Sequence, residues 1–317
     1  MRLFSGLFVL GLILSLPVAH AQTETSVSAN SVTAKSAVWQ VQVNVNRLFA
    51  SPVGALINEV IEKEADKEVK IDALVEAVGF DTRTSIQEIV IFGDTFEPTS
   101  ASAIANLGES RGNIEGWLLA APGYQSEEVE GTIVHSIDVD DKEVPRLWCA
   151  IPEGSKGYVL VAGFNADRVR ALVDQVKKDS TDSIAEPLAD SSFLTLFVND
   201  LSKAPIEIDE DEPGSAIIKT IQSVVLNVGM EGNLFNSNCQ ITTDSAARAE
   251  QLNQLIVGMK AMVQLAMPQK EPETKELMKY VNNLTAEYTK GSNIVETNFA
   301  IDFDVIKELI DKEILKD

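Results

Sequence analysis

Trp39, Val41, Val43 and Val45 alternate with Gln40, Gln42 and Asn44, the period of two that marks a strand with one buried face. After Pro52 the period changes. Val60 and Ile61, then Ile71, Leu74, Val75 and Val78, recur at helical spacing, and Gly79 supplies a stop. Apolar runs at 86–92, 114–120, 132–137, 146–151 and 158–162 are separated by turns rich in Gly, Pro and Asp, which predicts an antiparallel meander. A helix over 166–178 follows, with Val169, Leu172, Val173 and Val176 on one face.

Beyond the polar stretch 179–192 the order starts again. Strands are expected at 193–198, 221–229 and 234–242, with an acidic segment at 207–214 between the first two. Thr243 or Asp244 then caps a long helix that reaches Ala266 and is ended by Pro268. Its buried stripe is read as Leu252, Leu255, Ile256, Met259, Met262 and Val263. Pro272 suits the start of another helix. A hairpin of 284–288 and 294–301 turns around Lys290, Gly291 and Ser292, and Asp304 is placed to cap a closing helix.

Short echoes tie the two halves together. A V-N-x-L-x-x-x-P pattern occurs from Val45 to Pro52 and again from Val198 to Pro205. Residues 86–91 match 221–226, Gly112-Asn113-Ile114 matches Gly232-Asn233-Leu234, and 167–174 matches 304–311. Four weak matches in one order, offset by roughly 120 to 150 residues, argue for two copies of one domain-sized unit. The expected fold is therefore α+β, with two similar lobes, each a mainly antiparallel sheet with helices packed on one face. The boundaries follow: 1–21, 22–36 as a polar lead-in, 37–178 as the first repeat, 179–192 as linker and 193–317 as the second repeat.

Residues 1–21 read as an export signal: Met1-Arg2, an apolar run over 3–16, and small residues Ala19 and Ala21 before Gln22. Periplasmic or secreted localisation is the expectation, with no stable membrane span in the mature chain. The formal charge is −22, from 48 acidic and 26 basic residues. Such a surface repels phosphate backbones, so nucleic acid is excluded as a partner. Cys149 and Cys239 are the only cysteines. An oxidising compartment lets them pair, but both sit in strand-like runs that also suit core thiols.

Candidate chemistry is sparse. Gly108-Glu109-Ser110-Arg111-Gly112 fits G-x-S-x-G, the hydrolase elbow, which needs a strand before it and a helix after it. Here a loop-like 99–107 is expected before it and a strand after it. His135 is the only histidine beyond residue 21, and alternation puts it on the face of Ile133 and Ile137. That leaves little for zinc or acid-base chemistry, and reads as a satisfied, half-buried side chain. The runs Asp138-Val139-Asp140-Asp141 and Asp209-Glu210-Asp211-Glu212 lack the calcium-loop pattern. No phosphate cradle occurs. Catalytic, cofactor-binding and metal-binding residues are accordingly expected to be none, and no cofactor is expected.

The strand ending at Val45-Asn46 with Leu48 and Pro52, the Gly79-Phe80-Asp81 turn before Ile86, and Thr243-Asp244-Ser245-Ala246 with Gly258-Met259-Lys260-Ala261 resemble exported proteins of planctomycete-type bacteria. That resemblance implies an internally duplicated α+β unit and no activity, cofactor or site residue. The leading expectation is an exported, non-enzymatic binding or scaffold protein using the cleft or joined sheet between its repeats. Its partner would be a protein, a peptide or a small apolar ligand. Two alternatives stay open: a carboxylate-based hydrolase, with or without a metal, whose acids would converge in a pocket, and a carrier whose apolar cavity is lined by the Met-bearing helix.

Overall fold

The alternation that begins at Trp39 becomes β1 (Trp39–Asn44), which stops one residue short of Val45 because the Asn44 side chain accepts a hydrogen bond from the Arg47 backbone N–H and starts a helix. The computed structural model describes residues 37–65, 82–108, 114–139, 146–154, 157–178, 188, 191–199, 201, 215–266 and 272–313. The chain divides into two units, Met1–Pro187 and Leu188–Asp317.

In the first unit β1 leads into α1 (Val45–Phe49), α2 (Pro52–Ala65) and α3 (Thr82–Ser85), then β2 (Glu88–Gly93) and β3 (Ser102–Gly108). There follow α4 (Ile114–Leu119), β4 (Gln125–Val129), β5 (Thr132–Asp138), β6 (Arg146–Ala150), the short β7 (Glu153–Gly154), β8 (Gly157–Gly163) and α5 (Ala166–Lys178). The strands pair antiparallel in the order β1-β2-β3-β8-β6-β5-β4, with β7 on β8.

Alternation along these strands builds two apolar layers. Val90, Phe92, Ile104, Val134, Ala150 and Val161 pack against Val169, Leu172, Val173 and Val176 of α5. Ile137, Leu147, Cys149 and Ala162 form a separate cluster with Leu118 of α4. Both faces of this sheet are therefore covered by a helix, where one face was expected. The segment 114–119 is also a helix and not a strand, with Ile114 and Leu118, one turn apart, reaching the same cluster.

Three further departures share one cause, side-chain chemistry that hydropathy does not register. Residues 102–108 form β3 although 99–107 reads as a loop, because the small residues Ser102, Ala103 and Ala105 fit an interior strand between β2 and β8. Ser245, not Thr243 or Asp244, caps the long helix, its Oγ accepting from the Arg248 N–H. Asp302, not Asp304, caps the closing helix, accepting from the Asp304 N–H at 3.0 Å.

The start of α5 is tied to the sheet by charge. Arg168 donates through Nε to Ser102 Oγ at 2.9 Å, pairs with Asp94, and lies over the Phe92 ring. Nearby, the guanidiniums of Arg146 and Arg170 each lie 5.8 Å from the centroid of Trp148.

The second unit contains β9 (Ser192–Val198), α6 (Ser215–Ile218), β10 (Ile221–Glu231), β11 (Leu234–Thr243), α7 (Ala246–Ala266), α8 (Pro272–Asn283), β12 (Thr285–Tyr288), β13 (Ile294–Asp302) and α9 (Phe303–Glu313). Its sheet runs β9-β10-β11-β13-β12, antiparallel throughout. One core cluster among its described residues joins Ala249, Leu252 and Val295, with Ile217, Ile221, Ile241, Ile256 and Tyr288 packed around them.

The sequence echoes land unevenly on these elements. Residues 86–91 and 221–226 lie largely in β2 and β10, each the antiparallel neighbour of its unit's first strand, and 167–174 and 304–311 lie in α5 and α9. The third echo does not correspond, since Ile114 opens a helix and Leu234 opens a strand. The export signal, the lead-in and the acidic run 209–212 lie outside the described residues.

A candidate apolar groove

The feature that stands apart in the second unit is the C-terminal half of α7. The helix docks through Ala249, Leu252 and Ile256, spaced by three and four. The expected stripe does not stay buried beyond that point: Met259 is 53% exposed, Met262 62% and Val263 41%, while Leu265 reaches 84%. Apolar residues surround this half of the helix, so burying one face leaves others in water. Periodicity located the stripe but not where along the helix the sheet ceases to cover it.

One flank of this half is held by hydrogen bonds. Lys260 Nζ donates to the backbone carbonyls of Asn282 at 2.9 Å and Leu284 at 2.6 Å, and Gln264 Nε2 donates to Asn282 Oδ1 at 2.6 Å. An ammonium against the last carbonyls of α8 complements that helix's negative end. The result is a groove of about 350 Å³ between α7 and residues 284–286. Ile256, Val257, Ala261, Leu284 and Ala286 make it apolar, and Lys260, Gln264 and Thr285 give it polar points. The volume lies at the lower end of the range for small-molecule sites. Its lining contains no carboxylate.

Lys260 is the only charge between Leu252 and Ala266. Its bonds go to neutral carbonyls, and among the described residues no carboxylate pairs with it.

The residues singled out by sequence chemistry are placed differently. His135 is 3% exposed, more deeply buried than expected, and is not fully satisfied. Nδ1 shares a hydrogen bond with the Tyr124 hydroxyl at 3.1 Å, whereas Nε2 is buried without a partner among the described residues. Burial pushes its pKa below the usual histidine value, against an opposing pull from the Glu115 carboxylate. Cys149 stands directly across from it on β6. That thiol is free and buried, and desolvation pushes its pKa up to about 12. Cys239 is also free, with its pKa raised by burial against a hydrogen bond to Thr297.

The G-x-S-x-G segment is flanked by β3 before it and α4 after it, the reverse of the expected loop and strand. Ser110 itself lies outside the described residues. Asp138 is paired with Arg146 at 3.0 Å, and among the described residues no cluster of three metal-ligating side chains occurs. No described helix is long and apolar enough to cross a membrane.

No family model matches the sequence, and no curated protein matches it. Among solved structures the chain is similar to crystal form III of TP0453, at 11% identity and a TM-score of 0.44, over 90% of this chain and 100% of that one. Crystal form IV of TP0453 is similar at 10% identity and a TM-score of 0.45, over 89% and 97%. Likeness at that level assigns no function.

Proposed function

We propose that this chain is an exported, non-enzymatic binding protein that carries an unbranched apolar chain ending in a carboxylate. The observation that carries the reading is the groove beside α7, about 350 Å³ with an apolar lining and the Lys260 ammonium at its edge. Apolar walls supply affinity at roughly 25 cal/mol per Å² buried. Lys260 fixes orientation, since its neutral partners leave its charge to be matched by an anion. The carboxylate-hydrolase alternative calls for acids converging on a concavity, and this concavity is lined by none.

The test is fluorescence titration of the purified protein with a conjugated fatty acid, cis-parinarate, and with its methyl ester. Saturable binding of the acid, at least tenfold weaker for the ester, is expected. Ala261→Trp fills the groove from an exposed position and should abolish binding while leaving the circular dichroism spectrum unchanged. Equal binding of acid and ester refutes the role of Lys260, and undiminished binding by the Ala261→Trp protein refutes the groove.

A further inference from the structure

We infer that α7 also joins two copies of this chain, helix against helix, through a face distinct from the groove. Leu255, Met259, Met262 and Ala266 follow at intervals of four, three and four, the spacing of a helix-pairing seam. At 100° per residue this seam lies roughly 130° around the helix from Ile256, Lys260 and Gln264 on the groove side. Met259 and Met262 are more than half exposed in the single chain, and Val263 and Leu265 flank the seam.

Charge selects a second copy as the occupant. Over most of its surface the −22 chain meets another copy of itself with like charges opposed. Between Leu252 and Ala266 it carries no acid, so two copies approach here without juxtaposed carboxylates. Area agrees. Met259, Met262, Val263 and Leu265 offer on the order of 450 Å² of apolar surface per copy, so a twofold contact removes about 900 Å² from water, the size of a weak, transient interface. Gly258 is exposed in mid-helix with nothing within 4 Å of where a Cβ would stand, and leaves room for a side chain of the facing helix. A contact of this size is reversible and twofold symmetric.

Sedimentation velocity of the purified protein from 1 to 100 μM tests this. The wild type should pass from monomer to dimer across that range, and the dimer should tighten as salt rises, because salt screens the repulsion between acidic surfaces. Met262→Glu should weaken dimerisation at least tenfold while still binding cis-parinarate, which shows that the variant is folded. Ile133→Glu, an exposed apolar site in the first unit, should leave dimerisation unchanged. A wild type that is monomeric at 100 μM overturns the inference, including the case in which the face captures a helix of another protein. So does a Met262→Glu protein that dimerises as the wild type does, or an Ile133→Glu protein that no longer dimerises. Dimerisation without parinarate binding removes the groove reading and leaves this one standing, and the converse result does the opposite.

Discussion

Replacing His135 by leucine should make the protein more stable. The imidazole occupies a buried position in β5 with one nitrogen bonded to Tyr124 and the other without a partner among the described residues. A buried polar atom left unpaired costs about 1–3 kcal/mol, and the single bond to the part-exposed Tyr124 returns about 0.5–1.5 kcal/mol. Leucine removes both terms, and water takes over the Tyr124 hydroxyl. The difference favours the variant by about 1 kcal/mol at pH 8. The gain should widen in acid. A histidine whose folded pKa lies below its unfolded value of about 6.5 binds its proton more weakly in the folded state. The folded state therefore carries no such penalty well above 6.5, acquires it as pH falls through 6.5, and carries it in full below the folded pKa. Urea melts of both proteins at pH 8, 6.5 and 5, with the slope held common, measure the difference directly. A His135→Leu protein less stable than wild type at pH 8, or a gap that narrows on acidification, would refute the reasoning and restore a functional role for the imidazole.

Two further outcomes follow from buried groups in the first unit. Cys149, with its pKa near 12, should resist Ellman's reagent at pH 8 until the protein is unfolded, because the thiolate fraction is on the order of 10⁻⁴; half-buried Cys239 should react first, and mass spectrometry after partial labelling identifies which residue was modified. A fluorophosphonate probe should not label Ser110 despite the strand and helix that flank it, since His135 is 3% exposed and its Nδ1 is engaged by Tyr124; labelling abolished by Ser110→Ala would reopen the hydrolase reading.

Elements whose burial follows a simple period could be read from the sequence. The Trp39 strand, the Val169 helix and the hairpin over 284–301 owe their form to alternation or helical spacing that the tertiary fold reinforces. The strand Gln125–Val129 was invisible because its half-exposed edge contains a single apolar residue. Residues 114–119 misled because a short apolar run has no decisive period. The groove was legible only in part. Met-bearing α7 was marked as a stripe, yet the other wall comes from residues 284–286, some twenty positions later, brought there by the turn from α8 into β12. The one local signal was Lys260, a lone charge inside an apolar run.

The aromatic residues give the molecule an optical asymmetry. Its three tryptophans are Trp39, Trp117 and Trp148, and all belong to the first unit. Trp148, lying beneath two guanidiniums, should lose its distinctive emission as soon as α5 or β6 gives way. The second unit is dark in the tryptophan channel. Intrinsic fluorescence thus follows melting of the first unit, and an extrinsic fluorophore in the groove beside α7 follows the second, so one sample reports on each unit at its own wavelength.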